Sequence, residues 1–210
     1  MSNNKKIDQE TVLLTGASGF IGLHCVKQLI QSGFKVRGTV RSLEKQKLVQ
    51  EVMAANNVDT KNIEFNLLDL NSDSGWEASM VGCKYVMHVA SPFWIANPKN
   101  DSEMMTPAVD GTLRVLRAAK KAKVKRVILT SSIVSMMSSI RRGLFTPEDW
   151  TDVDYPNLST YIKSKTLAER AAWKFLDENK GSSAPALVVV APGGVFGPPL
   201  GTDITGQSLT

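Results

Sequence analysis

Residues Thr11–Gly33 read TVLLTGASGFIGLHCVKQLIQSG. A short apolar run, Thr11–Leu14, meets a glycine-rich turn. An amphipathic stretch follows, with Ile21, Cys25 and Leu29 at steps of four. That order predicts strand, tight turn, helix. Gly16 permits the turn, Gly19 lets the main chain approach a pyrophosphate without a Cβ in the way, and Gly22 lets the helix pack closely on the strand. The free N–H groups of the first helical turn, aided by the helix dipole, suit an anion. Glycine triplets also occur in plain turns; the strand before and the helix behind make this one an expected phosphate loop.

Outward from this unit the pattern repeats. Further β-branched runs lie at Lys35–Val40, Asn62–Leu67, Tyr85–Ala90, Arg126–Thr130 and Ala186–Ala191. Helical spacing fills the gaps, as in Val109, Leu113 and Leu116, and again in Tyr161, Lys165, Ala168 and Ala172. Six strands alternating with helices predict an α/β fold with a parallel sheet. Few charges fall within the strands, as when both faces are covered. Right-handed crossovers then give a doubly wound arrangement.

The 210 residues suffice for one well-cored domain. At 42% hydrophobic and 21% charged, the chain is too apolar for intrinsic disorder. No apolar run is long enough for a membrane span, and MSNNKKIDQE is no secretory leader. Cys25 and Cys83 make neither a disulfide framework nor a zinc site and read as reduced thiols of a cytoplasmic protein; no metal is expected. The net charge is +5, densest at Lys120–Arg126, KKAKVKR. Without interleaved aromatics this reads as cations on a helix C-terminus followed by a turn, and not as a nucleic-acid patch.

The second strand ends K-V-R-G-T-V-R-S. An NAD site usually has an acid here for the ribose hydroxyls. Arg41 stands in its place, and a guanidinium forms charge-assisted bonds with a 2′-phosphate, so NADP is expected over NAD. Arg37 is a second candidate on the same strand face, while Lys45 and Lys47 read as a solvated helix face. At the third strand end, Asp69 suits the adenine amino group, with Leu70 flanking the ring; a turn cap is the other reading. Val89, Ala90 and Ser91 are small enough for a cofactor to lie against their backbone, and His88 before them reads as a satisfied interior histidine.

The fifth strand ends in Thr130, Ser131 and Ser132. Tyr161 and Lys165 lie four apart on one helix and share a face. A nearby ammonium is expected to lower the tyrosine pKa and make it a usable proton donor to a carbonyl oxygen. A strand-end serine would steady the same oxygen, Lys165 would hold ribose hydroxyls, and the cofactor would supply hydride.

In order, TGASGFIG, TVR, HVASPF, TSS, YIKSKTLAERAAW and APGGVFGP resemble the extended short-chain dehydrogenase/reductases of the dihydroflavonol reductase, cinnamoyl-CoA reductase and yeast methylglyoxal reductase group. The resemblance implies a Rossmann fold, NADPH, and reduction of a ketone or aldehyde. It selects Ser132 over Ser131, giving Ser132, Tyr161 and Lys165 as the catalytic set. It assigns cofactor contacts to Gly16, Ser18, Gly19, Phe20, Ile21, Gly22, Arg41, Asp69, Leu70, Val89, Ala90, Ser91, Tyr161, Lys165, Pro192 and Ser208. It also implies a homodimer pairing two long helices; the apolar Val109–Ala119 and Leu167–Leu176 faces suit that as well as they suit their own sheet.

Two departures matter. Where plant flavonoid reductases carry an Asn that contacts the substrate's hydroxylated ring, this chain has Met137, which favours a less polar carbonyl compound. Family members are also longer. The expected organisation is therefore a polar tail over 1–10, an NADP-binding domain over 11–192, and over 193–210 the start of a substrate lobe that is otherwise lacking. The alternatives are an NAD-dependent epimerase or hydroxysteroid dehydrogenase, which Arg41 opposes, and an NADP-binding module without catalysis, which an intact triad opposes.

Overall fold

The computed structural model describes residues 9–94, 96–137 and 143–201. Six parallel strands form one sheet in the order β3-β2-β1-β4-β5-β6. They are β1 (Thr11–Thr15), β2 (Lys35–Val40), β3 (Ile63–Leu67), β4 (Cys83–His88), β5 (Arg126–Thr130) and β6 (Ala186–Val190). The long helices are α1 (Phe20–Gln31), α2 (Leu43–Ala55), α4 (Ser102–Lys121) and α5 (Thr160–Glu178); α3 (Trp76–Met80) is short. The chain runs outward from β1 to β3, returns to β4 beside β1, and continues to the other edge. The strand order reverses between β1 and β4, and ligands of such sheets bind at the carboxyl edge there.

Strand alternation explains the two-sided core. In β1, Leu14 packs with Val26, Val36, Val49 and Met53 on the side of α1 and α2. Its neighbour Leu13 packs with Met80, Val86, Val115, Leu116, Val127 and Ala172 on the side of α3, α4 and α5. All the residues named are essentially inaccessible to water. At roughly 1.5–3 kcal/mol for each fully buried large aliphatic side chain, these two clusters are the main force holding the layers together.

Two sequence expectations shift. The fourth strand was expected over Tyr85–Ala90 but spans Cys83–His88. The Thr15 hydroxyl accepts the Val89 and Ala90 amides, at 3.0 Å each, and draws that segment off the ladder. In α1 the buried stripe is Gly22, Leu23 and Val26, while Ile21, Cys25 and Leu29 lie half-buried beside it. The helix α3 carries no long periodic signal; it is held by Trp76, buried, whose indole donates to the Ser72 carbonyl at 2.8 Å. The basic run behaves as expected: Lys120 and Lys121 close α4, and the turn through Lys123 leads to β5. Both cysteines are free thiols, and burial raises the pKa of each.

Candidate active site

The loop after β1 is built on backbone proximity. Gly16 has φ +69°, and a Cβ there would meet Ala90 at 3.0–3.2 Å. A Cβ on Gly22 would lie 2.0 Å from the Gly16 carbonyl oxygen. Only hydrogen at both positions allows this strand, turn and helix to close. Gly19 is the N-cap of α1 and supplies no side-chain cap. The first-turn amides therefore remain available to an anion from outside the helix.

Two adjoining cavities open at the carboxyl edge. The first, about 530 Å³, is lined by Gly16, Ser18, Arg41, Asp69, Leu70, Val89, Ala90 and Ser91, with Lys45 at its side. The second, about 320 Å³, is lined by Phe20, Ile21, Ser132, Tyr161, Lys165 and Pro192. Val89, Ser91, Pro92 and Phe93 border both. These linings bring together all the described site candidates except Gly19 and Gly22, which act through the backbone of the loop. Ser208 lies outside the described residues.

Arg37 does not join Arg41. It pairs with Glu64 at 2.8 Å and donates to the carbonyls of Ser79 and Val81, each at 2.8 Å. Glu64 is its neighbour near the start of β3, and Ser79 and Val81 lie at the end of α3 ahead of β4, away from the carboxyl edge that Arg41 adjoins, so strand alternation alone overstated its reach. Asp69 caps a turn, its Oδ1 accepting the Asn71 amide at 2.7 Å, and it also borders the first cavity. Leu70 lies against Gly111, where a Cβ would come within 2.9 Å of it.

His88 is an interior histidine whose tautomer its neighbours fix. Thr15 Oγ1 already accepts two amides, so its own proton goes to His88 Nδ1, 2.8 Å away. Thr112 gives its proton to the Ala108 carbonyl at 2.7 Å and accepts from His88 Nε2 at 3.3 Å. Burial, helped by the Lys165 charge, pushes the His88 pKa down to about 3.

Tyr161, Lys165 and Glu169 occupy successive turns of α5. The Tyr161 ring meets Phe93 edge-on at 5.0 Å, and its side chain lines the same cavity as Ser132. The expected lowering of the Tyr161 pKa does not appear. Burial raises it, and the Ser132 hydrogen bond only partly offsets this. Lys165 is itself buried and donates to the Thr130 carbonyl at 3.1 Å. Desolvation lowers its pKa to about 8, against an upward pull from Glu169. The ammonium is thus weakened by the burial that places it, and it does not drive the phenol down.

The two serines part company. Ser132 lines the cavity that holds Tyr161, and its Oγ accepts the Val134 amide at 3.4 Å. Ser131 Oγ turns the other way and donates to buried Glu169. Neither Glu169 nor Phe93 was singled out in the sequence. The glutamate did carry a signal, since it extends the Tyr161–Lys165 spacing by one more helical turn.

The sequence matches the family model described as the NAD dependent epimerase/dehydratase family over residues 12–206. The chain belongs to the NAD dependent epimerase/dehydratase family. Among its relatives in that family is anthocyanidin reductase ((2S)-flavan-3-ol-forming) of Vitis vinifera, 36% identical over 213 residues, which cover 97% of this chain and 61% of the reductase. Dihydroflavonol 4-reductase of Dianthus caryophyllus is 35% identical over 195 residues, covering 89% and 54%. Among solved structures, the NADPH complex of yeast methylglyoxal/isovaleraldehyde reductase Gre2 has a TM-score of 0.79 at 32% identity, covering 90% of this chain and 59% of that one. The NADPH complex of Gre2 from Candida albicans has a TM-score of 0.80 at 30% identity, covering 95% and 62%. This family member thus spans 54–62% of the length of these relatives. Among its described residues, no helix is long and apolar enough to cross a membrane.

Proposed function

We propose that this protein is an NADPH-dependent reductase of ketone or aldehyde carbonyls, with Tyr161 as the proton donor. The observation that carries this reading is the gathering of Ser132, Tyr161 and Lys165 on the wall of one cavity, beside a second cavity lined by the glycine loop and Arg41. Likeness to two NADPH-bound reductases supports the choice of cofactor. The site also fits that cofactor chemically. A glycine cradle and an uncapped helix N-terminus suit a pyrophosphate, and Arg41 suits a 2′-phosphate where an NAD-dependent epimerase or hydroxysteroid dehydrogenase would use an acid. Gly16, Ser18, Gly19, Phe20, Ile21, Gly22, Asp69, Leu70, Val89, Ala90, Ser91 and Pro192 would complete the cofactor's contacts, and Lys165 would hold its ribose.

When bound, the reduced nicotinamide supplies hydride. The chain's own residues manage the oxygen and the proton. Ser132 and Tyr161 donate to the carbonyl oxygen, and Tyr161 O–H passes its proton to that oxygen as negative charge grows there. The raised pKa keeps the phenol protonated at neutral pH, and an alkoxide is far more basic than a phenolate. The wall beside Tyr161 is apolar, with Phe93, Ile133, Val134 and Val195. Met137, at the end of that loop, is 46% exposed. Both favour a carbonyl compound of low polarity over a polyphenol.

Residues 193–210 would begin the substrate lobe of the whole protein. The two free thiols support a cytoplasmic setting. On the outer side of α4 and α5 a groove lined by Met105, Val109, Leu167 and Ala171 supports a homodimer, which light scattering of the purified protein tests. The central test is Tyr161→Phe. NADPH consumption with a panel of aldehydes and ketones should vanish while NADPH binding, read by fluorescence, persists. Undiminished turnover would remove Tyr161 from this role.

A further inference from the structure

Glu169 sits behind the catalytic face and is not part of it. It is 8% exposed, yet its carboxylate is fully occupied. One oxygen, Oε2, accepts Ser131 Oγ and lies 2.7 Å from Ser135 Oγ; the other lies 3.4 Å from the Trp173 indole nitrogen. Ser131 and Ser135 bracket Ser132. The Ser135 amide donates to the Ser132 carbonyl at 2.9 Å, and the Ile133 amide donates to Pro192 at 3.0 Å. The residues that aim Ser132 at Tyr161 are therefore tied, on both sides, to one buried carboxylate. Ser131, Lys165 and Glu169 also line one small void with His88.

We propose that Glu169 is a positioning residue, which clamps the Ser131–Ser135 turn so that Ser132 faces Tyr161 and which faces the Lys165 ammonium from the next turn of α5. This deepens the reductase reading and rests on it. Burying an acid here is costly unless its lone pairs are met and a counter-charge lies near. The site meets both conditions, with two hydroxyls, one indole N–H and Lys165. An apolar residue would fill the same space but would take from Ser131 its carboxylate acceptor and leave the Ser135 hydroxyl only the Ser132 carbonyl, 2.8 Å away. The titratable groups facing Lys165 are Tyr161 and Glu169 on its own helix and His88 on β4; β5 offers it the Thr130 carbonyl. Glu169 is the group that raises the Lys165 pKa, in opposition to desolvation.

The test is Glu169→Gln, which keeps shape and an acceptor oxygen but removes the charge. Lys165, followed by NMR of its side-chain Cε and Nζ, should titrate lower by about one pH unit than in the wild type. Amide exchange at Ile133 and Ser135 should quicken by about tenfold, the worth of one charge-assisted hydrogen bond. A glutamate whose charge does not reach Lys165 would leave the lysine titration unmoved, and one that does not hold the turn would leave the amide exchange unmoved. Ser135→Ala is the second variant, should the first fail to fold: it removes one donor, and the Ile133 amide should again exchange faster. Unchanged Lys165 titration in Glu169→Gln, or unchanged exchange in Ser135→Ala, overturns the proposal. None of these readouts needs cofactor. A wild-type protein that binds no NADPH would defeat the reductase reading alone.

Discussion

Lowering the pH should unfold this protein in part through a single histidine. His88 is buried with both ring nitrogens engaged, Nδ1 accepting from Thr15 and Nε2 donating to Thr112. A second proton on Nδ1 would face the Thr15 hydroxyl, whose oxygen is already committed to two amides. In the unfolded chain His88 takes up a proton as the pH falls through 6.5; in the folded chain it does so only at about 3. Between those values the unfolded state binds more protons, so stability falls as the pH falls. At pH 5 the unfolded histidine lies about 1.5 pH units below its midpoint, and its protonation between pH 7 and pH 5 favours the unfolded state by about 2 kcal/mol. A fall of that size is a large share of a domain's total stability. The assay is urea unfolding of wild type and His88→Asn at both pH values. At pH 7 the variant should be less stable, because the Thr112 contact is lost. At pH 5 the gap should narrow by about 2 kcal/mol, because the variant has nothing to titrate there. Long-range ¹H–¹⁵N spectra should show one neutral ring with its proton on Nε2 down to the pH of unfolding. An equal gap at both pH values would refute the reasoning.

Other perturbations follow from the site. Gly22→Ala places a methyl 2.0 Å from a backbone oxygen, so it should cost about 1–3 kcal/mol or more in denaturant unfolding and abolish NADPH binding. Arg41→Ala should weaken NADPH about tenfold to a hundredfold by titration and leave NADH affinity nearly unchanged. Ser132→Ala should lower kcat by about 10²–10³, whereas Ser131→Ala, which loosens the turn without removing the serine that meets the carbonyl, should lower it by about tenfold and lose about 1 kcal/mol or more of stability. Steady-state kinetics beside urea melts separate that pair, and equal loss of kcat in both would contradict the opposed orientations of the two hydroxyls.

Much of this protein is legible in its residues because local rules govern it. The β1–loop–α1 unit is a case where each glycine has a steric reason confined to a few neighbouring residues. The strands Lys35–Val40 and Arg126–Thr130 fall where the β-branched runs place them, since a strand covered on both faces carries few charges and those near its start. Alternation then requires a parallel sheet, and handedness orders it. The Tyr161–Lys165 pair is equally local, a single helical turn.

What the sequence could not fix is where a side chain goes once several elements compete for it. Arg37 and Arg41 share a strand face by arithmetic, but Glu64 and the carbonyls of Ser79 and Val81 claim the first, and only packing reveals that. Ser131 and Ser132 are chemically alike; a glutamate thirty-eight residues on takes one hydroxyl and leaves the other to Tyr161. The phenol's pKa rises because burial, which depends on the whole fold, outweighs the lowering by Ser132, and the ammonium that spacing puts one turn away does not lower it. Short-range sterics and periodicity are written along the chain, whereas desolvation and the choice among distant hydrogen-bond partners arise only when the layers close.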